Sequence, residues 1–135
     1  MRVIPGGRAM RQTAHVTMVR RALTEHERCV LGFLLSADMA GVAALRQQVE
    51  AAAVVGRCAC GCPSIDLQVA EGSPRSALPN GLFPSEAVAS PVSDEPPGNI
   101  ILFLQDGCLS YLEYVYYSDD VPLAWPAVER LSLVR

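Results

Sequence analysis

The sequence has no lysine: all eleven of its basic residues are arginine. Together with the many Ala, Val and Leu residues, this points to a GC-rich bacterial coding sequence and bears on origin, not mechanism. Only two histidines occur, His15 and His26, both in the N-terminal part. There is no glycine-rich phosphate loop and no Gly-x-Ser-x-Gly nucleophile turn. The common catalytic constellations are therefore missing, and the chain reads more readily as a non-enzyme. The longest apolar run, Cys29 to Leu35, falls well short of the ~20 residues a helix needs to cross a bilayer. Gln12, Thr13, His15 and Thr17 interrupt the stretch where a signal peptide would be continuously apolar. A net charge of only −3 gives no strong pull toward nucleic acid. Neither membrane nor nucleic acid is an expected partner.

The 135 residues suit one domain, with a composition half hydrophobic and about a fifth charged, as in ordinary globular proteins. Five cysteines is an odd number, and three of them crowd into five positions. That is a poor disulfide framework, so the thiols are expected reduced and the protein cytoplasmic.

Residues 1–20 read as a flexible basic arm, with Pro5-Gly6-Gly7 and scattered arginines, ahead of a single α+β domain over 21–135. Thr24 and Glu27 have the capping-box spacing, and Val30, Leu31, Leu34 and Leu35 recur with helical period, predicting a helix over 25–36. Val42, Leu45 and Val49 predict a second, from an Asp38 cap to about Ala53. A short link makes the two an N-terminal helical hairpin. From Ser64 to Val69 the period changes to two, the mark of a strand. Six prolines are spread through 71–98, so that region is expected to be loop with one short strand over Glu86–Ala89. Ile100 to Gln105, Asp106-Gly107 and Cys108 to Tyr117 predict a hairpin with a type I′ turn. The simple register pairs Leu104 with Leu109, Leu102 with Tyr111 and Ile100 with Glu113. It leaves both faces largely apolar, a conflict that a bulge near Ser110 would relieve by putting Leu109 and Leu112 on one face. Trp125-Pro126 begins a last short helix or edge strand. The expected architecture is thus a helical hairpin packed on an antiparallel sheet of about four strands.

Chemistry, if any, concentrates in Gly56-Arg57-Cys58-Ala59-Cys60-Gly61-Cys62-Pro63-Ser64. Gly61 and Pro63 make Cys60 to Pro63 a turn or bulge, and alternate strand positions would send all three sulfurs to one face. The bland reading makes the cysteines small apolar residues at a joint between helices and sheet. The metal reading puts Cys58, Cys60 and Cys62 on zinc, with a fourth ligand from Cys108, Cys29, His26 or Asp66. The redox reading uses Cys60 and Cys62 as a vicinal pair. The paired Cys-x2-Cys knuckles of common zinc modules are absent, and nothing in the spacing favours a Cys58–His26 nucleophile. Asp119 and Asp120 could hold a metal with Glu113, but no calcium-loop spacing surrounds them.

In this run, Val55 to Leu67, and again in Asp106-Gly107-Cys108-Leu109-Ser110-x-Leu112-Glu113, the chain resembles an uncharacterised family of short actinobacterial proteins. The resemblance spans about residues 22–125 and implies a bacterial origin, but it brings no catalytic residues. The general build is also similar to that of bacterial toxin-immunity proteins, a likeness of architecture only. The leading expectation is a non-enzymatic module that binds another protein through Tyr114, Tyr116, Asp119 and Asp120. Its rival is a zinc-binding or thiol-redox protein centred on Cys58, Cys60 and Cys62.

Overall fold

Thr24 starts the first helix in the way its spacing from Glu27 requires. In the computed structural model, which describes residues 16–90 and 97–134, the Thr24 hydroxyl accepts the Glu27 N–H at 3.1 Å. The Glu27 carboxylate in turn accepts the Thr24 N–H at 2.8 Å. The same carboxylate takes both guanidinium nitrogens of Arg21 at 2.9 Å, which ties the strand before the helix to its first turn. Burial pushes the Glu27 carboxyl up, but Arg21 and the Thr24 amide outweigh it and hold the group below its usual range.

The chain runs β1 (Val16–Ala22), α1 (Glu25–Leu34), α2 (Val42–Gln48), β2 (Ala52–Cys58), β3 (Ile65–Val69), β4 (Gly81–Leu82), β5 (Glu86–Ala89), β6 (Gly98–Gln105), β7 (Cys108–Tyr116) and β8 (Leu131–Val134). Short 3-10 turns lie at Val49–Ala51 and Val128–Arg130. All eight strands join one antiparallel sheet in the order β1-β2-β3-β7-β6-β5-β8, with β4 paired to β6. Among the described residues no helix is long and apolar enough to cross a membrane.

This overturns the expected helical hairpin on about four strands: the sheet dominates and the helices are two short pieces. The second helix does not begin at Asp38. Gly41, at φ +90°, turns the chain into Val42, and the helix ends at Gln48. Ala52 and Ala53 then enter β2, which pairs on one edge with β1 and on the other with β3. Alanine has no period of its own, so sheet pairing on both edges decides where helix becomes strand. β1 was hidden because its pairing shifts between Met18 and Arg21, which breaks the alternation that would announce a strand. It takes up residues 16–20 of the stretch read as a basic arm; residues 1–15 lie outside the described residues. The strand over Glu86–Ala89 is present as expected, and the last element combines a 3-10 turn with the edge strand β8.

The β6–β7 hairpin has its type I′ turn, with Asp106 at φ 54° and Gly107 at φ 77°. Its register contains the bulge. Leu104 faces Leu109, but Phe103 faces Tyr111, which leaves Ser110 as the extra residue. Beyond it, Leu102 pairs with Leu112 and Ile100 with Tyr114, correcting the simple register. Leu109, Leu112 and Tyr114 thereby join Ile100, Leu102 and Leu104 in the core with Val30, Leu31, Leu34, Leu35, Val42 and Leu45 of the helices. Gly107 is confined as well as left-handed: a Cβ there would lie 2.6 Å from the Ser76 carbonyl oxygen. Gly107→Ala is therefore expected to cost at least about 1 kcal/mol of stability. Urea unfolding checks this; an unchanged midpoint would contradict the crowded turn.

Candidate metal centre

The cysteine run occupies the connection from β2 to β3, and only Cys58 belongs to a strand. Gly61 adopts φ +98° and donates its N–H to the Cys58 carbonyl at 3.3 Å, which closes a tight turn over Cys58–Gly61. The Cys58 N–H reaches the Ser64 carbonyl at 3.3 Å and shuts the base of the loop. The hydrogen-bonded turn is thus Cys58–Gly61, two residues ahead of the expected Cys60–Pro63, and Gly61 to Pro63 follow it as a bend. The sulfurs meet for a different reason from the one alternation suggested: the turn folds them together.

The three Sγ atoms all lie within 4.8 Å of one another, with Cys58 and Cys60 sulfurs 2.9 Å apart. Sulfurs bound tetrahedrally to zinc at ~2.3 Å sit about 3.8 Å apart, so small side-chain adjustments suffice for the three to share one ion. The cluster has depth. Cys60 is exposed, Cys58 half-buried, and Cys62 only 8 % exposed at the floor.

Two neighbours shape the electrostatics. The buried Ser64 hydroxyl accepts the Tyr114 N–H at 2.9 Å, which leaves its own proton free for the Cys62 sulfur at 3.4 Å. Cys62 is held down to about 5, first by its bond with Cys58 and then, against its burial, by the hydroxyl and backbone of Ser64 and by Cys60. Cys58 is pushed up by Cys62, by burial and by Cys60. The two shifts run in opposite directions, favouring loss of the first proton from the inner sulfur. The Tyr116 phenol is pushed up by burial and then by the three cysteines, with Cys60 in hydrogen-bonding reach. The Cys62 N–H points at the Cys60 sulfur at 3.4 Å. Hydrogen bonds from a hydroxyl and from backbone amides are the outer-shell support that orients thiolates around a metal.

None of the proposed fourth ligands joins this group. Cys108 begins β7, whereas Ser64 meets Tyr114, six residues along the same strand and ~20 Å away. Cys29 is exposed on α1 with its sulfur 3.9 Å from a Glu25 carboxylate oxygen. His26 Nε2 lies 2.9 Å from the Pro126 carbonyl, to which it donates. Asp66 stands in β3 opposite Gly56 and Tyr111. Among the described residues, Cys58, Cys60 and Cys62 are the one set of three or more His, Cys, Asp or Glu brought this close. Glu113 is buried in β7 and forms no such set with Asp119 and Asp120, which lie in the segment after that strand.

The expected protein-binding surface breaks up. Tyr114 is 4 % exposed and stacks on Trp125 at 5.9 Å, so it is core and cannot meet a partner. Tyr116 is half-buried and belongs beside the sulfurs. Asp120 is exposed, and its carbonyl accepts the Ser118 hydroxyl at 2.9 Å. Sequence reasoning missed Ser64 and Tyr116 as neighbours of the cysteines. Ser64 left a trace in its place directly before a period-two strand, two residues from Cys62; Tyr116 left none, because its approach depends on the β3–β7 pairing.

No protein-family model matches the chain, and neither a curated protein nor a solved structure matches it.

Proposed function

We propose that the protein binds zinc through Cys58, Cys60 and Cys62, with the fourth coordination position left to water or to a donor from outside the described residues. The observation that supports this is the convergence of three sulfurs within 4.8 Å on a turn whose own amides and Ser64 hydroxyl point at them. Thiolate softness favours zinc over magnesium or calcium, and a three-sulfur set suits it better than carboxylate-preferring ions. A cytoplasmic setting that keeps thiols reduced fits the same reading.

Titration of reduced, metal-free protein with zinc against a chromophoric chelator tests it. One zinc per chain is expected, with affinity lowered at least tenfold by Cys60→Ser, which removes the exposed ligand and spares the core. Three freely titrating thiols and no retained zinc would sink the proposal.

A second reading, the non-enzymatic protein-binding module, draws on a different observation. The segment after β7 exposes Tyr117 and Leu123, at 67 % and 83 %, on either side of Asp119 and Asp120. Exposed aromatic and aliphatic side chains bracketing acids suit a small protein contact. On this reading Leu123→Asp leaves the fold unchanged and abolishes co-purification of a partner from native extract.

A further inference from the structure

The three sulfurs are not equivalent, and the difference assigns a chemistry to two of them. Cys58 and Cys60 have their Sγ atoms 2.9 Å apart, already closer than two non-bonded sulfurs usually pack. They are the first and third residues of the turn closed by the Gly61 N–H, so their Cα atoms fall within the ~4.4–6.8 Å a disulfide bridges. Cys60 is exposed and open to a dissolved reactant. Cys62 differs in access: it is buried, its sulfur is engaged by Ser64 as well as by Cys58, and Pro63 restricts its backbone.

We infer that Cys58 and Cys60 form a reversible redox dithiol that low-molecular-weight disulfides oxidise, and that this oxidation releases the metal held by the cluster. The release rests on the zinc reading above; the dithiol stands on the sulfur geometry alone. The Cys60 thiolate attacks one sulfur of a small disulfide RSSR, forming Cys60–S–SR and expelling RS⁻. Cys58 then gives up its proton as its sulfur attacks the Cys60 sulfur, forming Cys58–S–S–Cys60 and expelling a second RS⁻. In the metal-free dithiol the two expelled thiolates take up the two protons that Cys58 and Cys60 give up; in the zinc-bound cluster those protons left when the metal bound, so Zn²⁺ departs and the expelled thiolates are protonated by solvent. Either way the two cysteines lose two electrons, and RSSR becomes two RSH. Only Cys62 then remains as a thiolate donor, too few to retain zinc. A dithiol reductant reverses the sequence.

The test uses the full chain, reduced and titrated with zinc, then treated with oxidised glutathione while a chelator dye reports free zinc. The expected result is one intramolecular disulfide per chain by intact mass, release of one zinc per disulfide, and recovery of both on adding dithiothreitol. Cys62→Ser should still form the disulfide, whereas Cys58→Ser and Cys60→Ser cannot, and any intramolecular disulfide they form through Cys62 should appear at least tenfold more slowly. A disulfide that requires Cys62, or a stable glutathione adduct on Cys60 in the parent chain, would overturn the inference. If zinc never binds but the Cys58–Cys60 disulfide forms, the zinc reading and the release fail and the dithiol holds. If zinc binds and no such disulfide forms, the dithiol fails and the zinc reading holds.

Discussion

Replacing Gln48 with alanine is expected to lower the unfolding free energy by about 3–5 kcal/mol, a large part of the ~5–15 kcal/mol that holds a domain together. Gln48 is the last residue of α2 and has no solvent exposure. Its Nε2 donates to the Pro74 and Gly107 carbonyls, both at 2.8 Å, and its Oε1 accepts the Leu109 N–H at 2.9 Å. One side chain thus joins the end of a helix, a proline-rich loop and the turn of the central hairpin. Truncation strands the Leu109 N–H, whose acceptor is the Gln48 Oε1, and opens a cavity beneath the turn. Gln48→Met separates the two contributions. It restores most of the volume, so the loss that remains, about 2–3 kcal/mol, belongs to the hydrogen bonds. Urea unfolding followed by circular dichroism reads both. A loss under about 1 kcal/mol for Gln48→Ala would mean that neighbours or solvent take over all three groups.

Gln48 also marks where the sequence stops being readable. Its neighbours Val42, Leu45 and Val49 show which face of the helix is apolar, and that face is buried as the period requires. A glutamine at the edge of that face, three residues after Leu45, reads as solvated by its polarity, yet the hairpin turn folds over it. Local chemistry was legible wherever it acts within a few residues: the Thr24–Glu27 capping box, the Asp106-Gly107 turn, the Ser110 bulge and the Gly61 turn. Pairing at long range was not. β1 reaches β2 across about forty residues, and its register shift erased the alternation that would have announced it. Tyr114 looked available because a strand pattern names a face without saying what covers it, and Trp125 covers it from eleven residues further on. At the candidate site the same division holds. Three cysteines on a Gly-Pro turn could be read from the sequence; the Ser64 hydroxyl that supports them could not, since its role depends on the Tyr114 amide of another strand.

The metal-free, reduced protein is expected to gain stability as pH rises from about 5 toward about 9, then to lose it. Cys62 is held down to about 5 in the fold, chiefly by Cys58 and then by Ser64, and returns to the ordinary thiol range of ~8.5–9 when unfolded. Below about pH 5 both states carry the proton, and Cys62 contributes nothing. Between the two values the unfolded chain keeps the proton that the fold has given up, so raising the pH favours folding. Its contribution is complete above the unfolded value. Cys58 then acts in the opposite sense: it is pushed up in the fold, so above about pH 9 the unfolded chain ionises it and the fold resists. Glu27, held low by Arg21 and Thr24 despite its burial, withdraws its support only below the ordinary carboxylate value of ~4.3, outside the thiol window. Urea unfolding at roughly pH 6, 7 and 8 should show the rise, and Cys62→Ser should flatten it. The same charge governs metal uptake. With Cys62 already ionised at neutral pH, binding displaces one proton fewer than it would from three ordinary thiols. Apparent zinc affinity should then climb with pH about tenfold per unit less steeply than for three such thiols. Full three-proton steepness would mean that the inner sulfur holds no charge before the metal arrives.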